Sequence, residues 1–360
     1  MKQVDYIVVG LGIAGISFCE QLQRHAKSFV AVDSGLNTAT KVSGGVLNPV
    51  VLKRFTLAWK AKEQFSGSLQ FYKELSEKLG EKLLVEMPVY RILNNVEEQN
   101  DWVVASDKRD LSPFISSEII ANINPNVIAP LGFGSVHSAG RIDPSVVVSK
   151  YKAYLQKNDS LLSETFDYSE FSEVSETKEK YTVRYKNIVA KRIVFAQGAF
   201  SFENPMFPKL LTAKGKLVLI PNKGEYIIIS APELQLNVLL KGPVYVIPLG
   251  NDTYKVGATY DRDNSKTETT DKAREEIVAK LKRIILCDFE IIDQEAGIRP
   301  TTIDRRPLLG TTIEKPHIAF FTGLGTHGIL GAPFLSDALY NHLENNVKLP
   351  EEMDLKRWLR

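Results

Sequence analysis

The apolar run Tyr6-Ile7-Val8-Val9 stops at Gly10, an apolar-periodic stretch follows, and a second run, Phe29-Val30-Ala31-Val32, stops at Asp33. This pattern predicts strand, helix, strand over the first 35 residues. A longer helical stretch is predicted from about Thr56 to Leu79, with Trp59, Phe65, Leu69, Tyr72 and Leu75 on one face and Gly80 as its stop. From Leu83 to about Pro130 short strand-like runs alternate with polar turns. After Pro144 a helix should bury Val147, Tyr151 and Leu155. Tyr181 to Tyr185 alternates as a half-exposed strand, whereas Ile193-Val194-Phe195-Ala196 is continuously apolar, as a buried parallel strand requires. Strands are expected at Leu217 to Ile220, Tyr226 to Ser230, Tyr245 to Pro248 and Tyr254 to Gly257, then a charged helix within 266–283. Ala319-Phe320-Phe321-Thr322 is a last buried strand, followed by a Gly-rich turn and a helix whose first turn Pro333 suits. Parallel-strand signals at the start, near 195 and near 320, and antiparallel-looking signals over 83–130 and 214–291, predict an α/β class, α+β overall. A Rossmann-like nucleotide domain is built from three separate stretches, and a mostly antiparallel sheet domain is inserted into it.

The first turn carries chemistry. Gly10-Leu11-Gly12-Ile13-Ala14-Gly15 is a Gly-x-Gly-x-x-Gly sequence between an apolar strand and a helix, the dinucleotide-binding fingerprint. The first glycine permits the tight turn, the second lets backbone approach a pyrophosphate, and the third lets helix and strand pack. The helix N-terminus offers N–H groups and partial positive charge to the phosphates. Asp33 follows Gly15 by eighteen residues, where a carboxylate can take ribose hydroxyls. The fingerprint leaves the identity of the dinucleotide open.

Bulk properties narrow the class. A chain of 360 residues supports two cores, and 44% apolar with 24% charged residues is ordinary for a globular protein. A formal net charge of +2 gives no footprint for DNA or for an anionic membrane. Two cysteines, Cys19 and Cys287, fit a reducing compartment, and five scattered histidines show no metal-ligand spacing. No run reaches the roughly 18 apolar residues of a membrane span. Asp5 and the three glycines break any likeness to a signal peptide. The expectation is a cytoplasmic protein with no metal, no membrane span and no DNA partner; oligomerisation is open.

Further segments, in order along the chain, resemble the D-amino acid oxidase, glycine oxidase and sarcosine oxidase family. They are Ser43-Gly44-Gly45-Val46, Gly140-x-x-Asp143-Pro144, Ala196-Gln197-Gly198, Lys214-Gly215-Lys216, Tyr245-x-x-Pro248, Ala296-Gly297-Ile298-Arg299-Pro300 with Asp304 and Pro307, and Thr322-Gly323-Leu324-Gly325-Thr326-His327-Gly328. The resemblance implies FAD as the cofactor. Sarcosine oxidases tether their flavin through a cysteine in the C-terminal part; Cys287 precedes the Arg299 motif and does not match, so the expectation is noncovalent FAD. The cofactor contacts implied are Gly10 to Gly15, Asp33, Ser34, Lys41, Ser43, Gly44, Gly45, Val46, Phe166, Ala196, Gly198, Gly325, Thr326, His327, Gly328 and Ile329. The helix after Gly323 should aim its N-terminus at the flavin pyrimidine edge, where reduction puts negative charge. The FAD-binding domain is expected over 1–82, 131–213 and 292–360, and the substrate domain over 83–130 and 214–291.

The resemblance also implies a reaction: hydride transfer from the α-carbon of a primary or secondary amino acid to flavin N5, with O2 or another acceptor taking the electrons afterwards. Arg299 would fork the substrate carboxylate, the alternative being an ion pair with Asp304. Tyr245 would line the substrate pocket, the alternative being a core aromatic. Lys255 matches a lysine that helps oxygen accept electrons in sarcosine oxidases, the alternative being an exposed strand lysine. His327 stands near the place of a glycine oxidase arginine, which puts a glycine-like substrate in question. The other readings are a flavin domain acting on an amino-acid-like side chain of modified tRNA uridine, a 2-hydroxy-acid oxidase or dehydrogenase, an NAD-dependent dehydrogenase and a non-catalytic flavin-binding module.

Overall fold

A computed structural model describes residues 1–36, 39–175 and 181–359. The framing elements in the first half are β1 (Lys2–Val9), α1 (Ile13–Arg24), β2 (Phe29–Val32), α2 (Ala61–Leu79), β3 (Val89–Ile92), α3 (Val96–Ser106), β4 (Phe133–Val136) and α4 (Pro144–Lys157). Then come β5 (Tyr181–Tyr185), β6 (Ile188–Phe195), β7 (Leu219–Ser230), β8 (Leu239–Lys241), β9 (Tyr245–Gly250), β10 (Thr253–Gly257) and α5 (Asp271–Leu281). The chain continues through β11 (Glu290–Thr302), β12 (Leu308–Thr311), β13 (Ile318–Thr322) and α6 (Gly328–Asn345).

The chain forms two compact units, one of Met1–Lys41, Ser145–Asn222 and Ile298–Arg360, the other of Val42–Pro144 and Lys223–Gly297. The sequence boundaries placed 42–82 and 131–144 with the nucleotide-binding stretches. In the structure these residues cluster with the second unit, because Val46–Leu47, Gly140–Ile142 and Leu84–Glu86 pair as one small antiparallel sheet.

In the first unit β1 runs parallel to both β2 and β6. The outer edge of β6 is shared: Ile188 to Ala190 pair antiparallel with β5, and Ile193 to Phe195 pair parallel with β13. Alternation along β1 sends Ile7 and Val9 to a core with Val30, Val32, Phe166, Tyr185, Phe195 and Phe320. The opposite side meets α1, where Tyr6 meets Phe18 edge-on at 5.6 Å, and α1 packs on α6. Val147, Tyr151 and Leu155 of α4 are fully buried, as their spacing predicts.

The second unit is built on a sheet of eight described strands in the order β11-β7-β10-β9-β8-β3-β4 and Ile115–Ile120. It is antiparallel between most neighbours, with β8 and β3 parallel. One face packs Ile227, Ile229, Leu240, Val246 and Val256 against Ile277 and Leu281 of α5. The other face holds the polar row described below.

Three local expectations change. The helix expected from Thr56 begins at Ala61, since Thr56–Leu57 pair with Val50–Val51 and Lys60 turns the chain at φ +48°. The stretch 83–130 contains α3, whose N-cap Asn95 accepts the Glu98 N–H at 2.8 Å while Trp102 is buried beneath it. Pro333 sits five residues after Gly328, past the first turn of α6, in its buried interior. Among the described residues no helix is long and apolar enough to cross a membrane.

Candidate functional site

The turn after β1 is braced from two sides. The Leu11 N–H donates to Asp33 Oδ2 at 2.6 Å, and the Ile13 N–H to Thr40 Oγ1 at 3.0 Å. Gly10 has φ +97°, and a Cβ there would stand 2.6 Å from the Ala196 carbonyl oxygen. A Cβ on Gly15 would meet the Gly10 carbonyl oxygen at 1.9 Å. Gly12 differs: its φ of −73° suits any residue, and a Cβ would meet Thr40 Oγ1 alone, at 3.2 Å. The fold therefore requires Gly10 and Gly15, while Gly12 keeps a space clear. At that opening the N–H groups of Ala14 and Gly15 have no acceptor among the described residues.

Asp33 is buried and heavily used. Besides Leu11, it accepts the Gly35 N–H on Oδ1 at 2.8 Å and pairs with the Lys152 ammonium from α4. A carboxylate has about four acceptor positions, so Oδ2 keeps one for a further donor. Ser34 is exposed beside it, and the Lys41 ammonium reaches the Gly35 carbonyl at 3.4 Å. The Phe166 side chain does not face this turn: it stacks on Tyr185 at 4.3 Å and meets Phe195 edge-on, deep in the core. Only its main chain is left to contact a ligand.

The second Gly-rich turn lies beside the first, with Ile13 Cγ2 3.4 Å from where a Gly328 Cβ would be. Ala196 supports Gly10, and the Gly198 carbonyl accepts the Thr322 hydroxyl at 2.9 Å. Gln197 is held by Asn204 at 2.9 Å and by the Tyr168 hydroxyl. Gly325 has φ +54° and donates its N–H to the Pro300 carbonyl at 2.9 Å, tying the turn to the segment that carries Arg299. Ile298 and Pro300 are buried, so Arg299 projects to the other side of the strand. Asp304 is engaged by Arg357, at 3.1 and 3.0 Å. Thr326 and His327 are exposed, and His327 is the N-cap of α6 without a side-chain cap bond. Dense surrounding protein, with the Arg305 guanidinium, holds the His327 imidazole below its usual range although the ring keeps a solvent-exposed face.

Tyr245 and Lys255 share one face of the second unit's sheet. Cross-strand pairing sets Tyr226, Gly257, Tyr245, Lys241 and Arg91 in one row, and Ile228, Lys255 and Ile247 in the next. The Tyr245 hydroxyl accepts from Asn48 Nδ2 at 3.1 Å; burial raises its pKa to about 12 even though that bond favours the phenolate. Lys255 is only 7% exposed, unlike the exposed strand lysine of the alternative reading. It pairs with Glu295 and lies 5.2 Å from the centre of the Tyr226 ring. Gly44 belongs to the same surface, since a Cβ there would meet Ile247 Cδ1 at 2.5 Å and the Tyr226 hydroxyl at 3.5 Å. Gly45, at φ +67°, accepts the Ile142 N–H at 2.9 Å, and Val46 pairs with Arg141; Ser43 precedes them. Sequence reasoning missed Thr40, Asn48, Tyr226 and Glu295. Their local sequence carries no fingerprint; strand register and loop folding bring them in.

The likeness to known proteins extends over most of the chain. The model of the DAO family, described as FAD dependent oxidoreductase, matches residues 5–341. Glycine oxidase of Bacillus subtilis is 24% identical over 94% of both chains. Glycine oxidase from Geobacillus kaustophilus superposes with a TM-score of 0.77 at 19% identity, covering 97% of this chain and 96% of the other. Iminodiacetate oxidase from Chelativorans does so with a TM-score of 0.78 at 18% identity, covering 98% of each. The residues present fit a dinucleotide: open space at Gly12, available N–H groups on Ala14 and Gly15, and an acceptor position left on Asp33. With the family match running from the first strand into the last helix, this chain belongs to the DAO family of FAD dependent oxidoreductases.

Proposed function

We propose that this enzyme oxidises the α-carbon–nitrogen bond of a small primary or secondary amino acid whose carboxylate is forked by Arg299. The observation that carries the reading is the anchoring of Arg299 next to the second Gly-rich turn through the bond from Gly325 to the Pro300 carbonyl. The names of the relatives, glycine oxidase and iminodiacetate oxidase, fit an amino acid substrate.

FAD is held noncovalently in this reading, since Cys19 and Cys287 are both buried. Gly10 to Gly15 receive the pyrophosphate, Asp33 the ribose, and Ser34, Lys41, the main chain of Phe166, Ala196, Gly198 and Gly325 to Ile329 line the rest. When bound, FAD supplies a two-electron acceptor for the substrate α-hydrogen. Arg299 fixes the carboxylate by two parallel hydrogen bonds and so orients the α-carbon. The Tyr245 hydroxyl stays protonated and able to donate a hydrogen bond. The N-terminus of α6 favours negative charge developing at its end. The neutral amine supplies its own electron pair, and no protein base is required.

Arg299→Ala tests this. The variant should keep its yellow colour and lose about 10²–10³-fold in kcat/KM for amino acids, the scale of a missing charge-assisted pair of 3–4 kcal/mol. Unchanged turnover would falsify the carboxylate anchor. Anaerobic bleaching scanned over glycine, sarcosine, D-amino acids, proline and 2-hydroxy acids tests the amine itself; bleaching by hydroxy acids alone sinks it.

A further inference from the structure

Lys241 is a partly buried cation of the second unit with no acid beside it. It ends β8, with Tyr245 opposite on β9 and Arg91 alongside on β3, so the three side chains stand in one row on one face of the sheet. Its ammonium lies 4.9 Å from the centre of the Tyr245 ring. Of its three N–H donors, one goes to the Gly242 carbonyl at 2.8 Å, and the other two have no acceptor among the described residues.

The acids of this region are taken by other cations. Glu98 accepts from Arg91 at 2.9 Å, Glu276 pairs with Lys280 of α5, and Glu295 pairs with Lys255 in the next row. Arg91 spends two more N–H groups on the Leu52 and Ile92 carbonyls, so two of the five on a guanidinium are left without an acceptor among the described residues. Burial, then the charges of Arg91 and Lys280, lower the Lys241 pKa to about 8. The other titratable groups near the row are the phenols of Tyr245, Tyr226 and Tyr260, which supply no carboxylate. A partly buried ammonium beside a guanidinium, with donors left over on both, is unfavourable until an anion joins it.

We propose that Lys241 and Arg91 form a binding site for a small monovalent anion, a halide or a carboxylate the size of formate, built wholly within the second unit. The ammonium and guanidinium N–H groups left over are charge-assisted donors of the kind that hold such an anion. Neither Arg299 nor FAD takes part, so the site is independent of the reaction proposed above. Only the ammonium form of Lys241 recruits the anion, so binding brings a proton with it. With the empty site titrating near 8, anion affinity should fall about tenfold from pH 7 to pH 9.

Chloride is the first probe. In the holoenzyme, with ionic strength held by sodium gluconate, the chloride NMR line should broaden saturably, and formate should displace the bound chloride. Lys241→Met should remove most of that broadening at pH 7. Lys241→Arg should keep it and, unlike wild type, keep it at pH 9 as well. Broadening that Lys241→Met leaves unchanged overturns the site. Should Lys241→Met fail to fold, the wild-type protein decides by its pH dependence. A loss of about tenfold in affinity between pH 7 and 9 supports Lys241; equal affinity at both belongs to a guanidinium alone and overturns the assignment. If chloride gives no saturable broadening, formate is tested by its effect on the urea unfolding midpoint at pH 7. A rise that vanishes in Lys241→Met, or at pH 9 in wild type, keeps the site as one for carboxylates, and no rise overturns it.

Discussion

Gly12 and Gly15 are glycines for different reasons, and substitution should separate them. A Cβ at Gly15 would lie 1.9 Å from a backbone oxygen, whereas one at Gly12 meets a single side-chain atom at 3.2 Å. Gly15→Ala should destabilise the apoprotein by about 3 kcal/mol or more through overpacking. Gly12→Ala should change apoprotein stability by less than about 1 kcal/mol while weakening FAD binding at least tenfold. Denaturant unfolding of the apoprotein and flavin titration measure the two effects; equal loss of stability in both variants would contradict the distinction. Asp33 shows what sequence could and could not reveal at this scale. Its place eighteen residues after Gly15 makes it the acid that the fingerprint predicts for a nucleotide ribose. Its bond to Leu11 and its ion pair with Lys152 come from folding, because Lys152 lies 119 residues away on α4.

At the scale of elements, strong apolar runs were readable because burial on both faces leaves little else for them to be. Thus β2, β6 and β13 were anticipated, and so was α4, whose Val147, Tyr151 and Leu155 keep helical spacing. The helix α3 was not, because its exposed Val103 and Val104 blur the apolar stripe. The signal was there in Asn95 and Glu98, a cap residue followed three places later by an acid. Trp102 ties this helix to two strands: its indole N–H donates to the Ser116 carbonyl of Ile115–Ile120 at 2.8 Å, and its ring covers Gly134 of β4, where a Cβ would lie 2.3 Å from the ring. Gly134→Ala should displace the indole and destabilise the protein by about 1–3 kcal/mol. A red shift of tryptophan emission at native temperature checks it; unaltered emission and stability would mean the ring has room to yield.

For the whole molecule, the two-unit organisation was foreseeable from alternating strand types, but the assignment of 42–82 and 131–144 was not, since it depends on pairing between segments remote in sequence. Lys241 gives stability as a whole a pH signature. Its value near 8 in the folded chain lies below the ordinary 10.5, so between them the unfolded chain binds more protons and stability rises with pH. The contribution is present above the ordinary lysine value and is lost as pH falls toward 8. Chemical denaturation of wild type and Lys241→Met from pH 7.5 to 10.5 should show a steeper rise for wild type; parallel curves would contradict a depressed lysine. The buried pair of Lys223 and Glu225, 1% and 3% exposed in their side chains, marks another global sensitivity. Burial disfavours the Glu225 carboxylate, yet bonds from Thr270, Lys223 and Gln294 outweigh it and hold its pKa below the usual range. Glu225→Gln should therefore destabilise the protein by about 3–5 kcal/mol, read from its unfolding midpoint, by stranding the lysine charge.

The adjacency of Gly328 to Ile13 has a consequence for biosynthesis. The turn at residues 10–15 is made before its strand can gain its inner neighbour, residues 188–195, and before its companion turn at residue 328. Until residues 188–195 are made, one edge of β1 lacks its neighbouring strand. If both turns hold the flavin, its capture is expected only after residue 328 is made, and the unfinished chain, with strand edges still unpaired, should be the species most prone to aggregate.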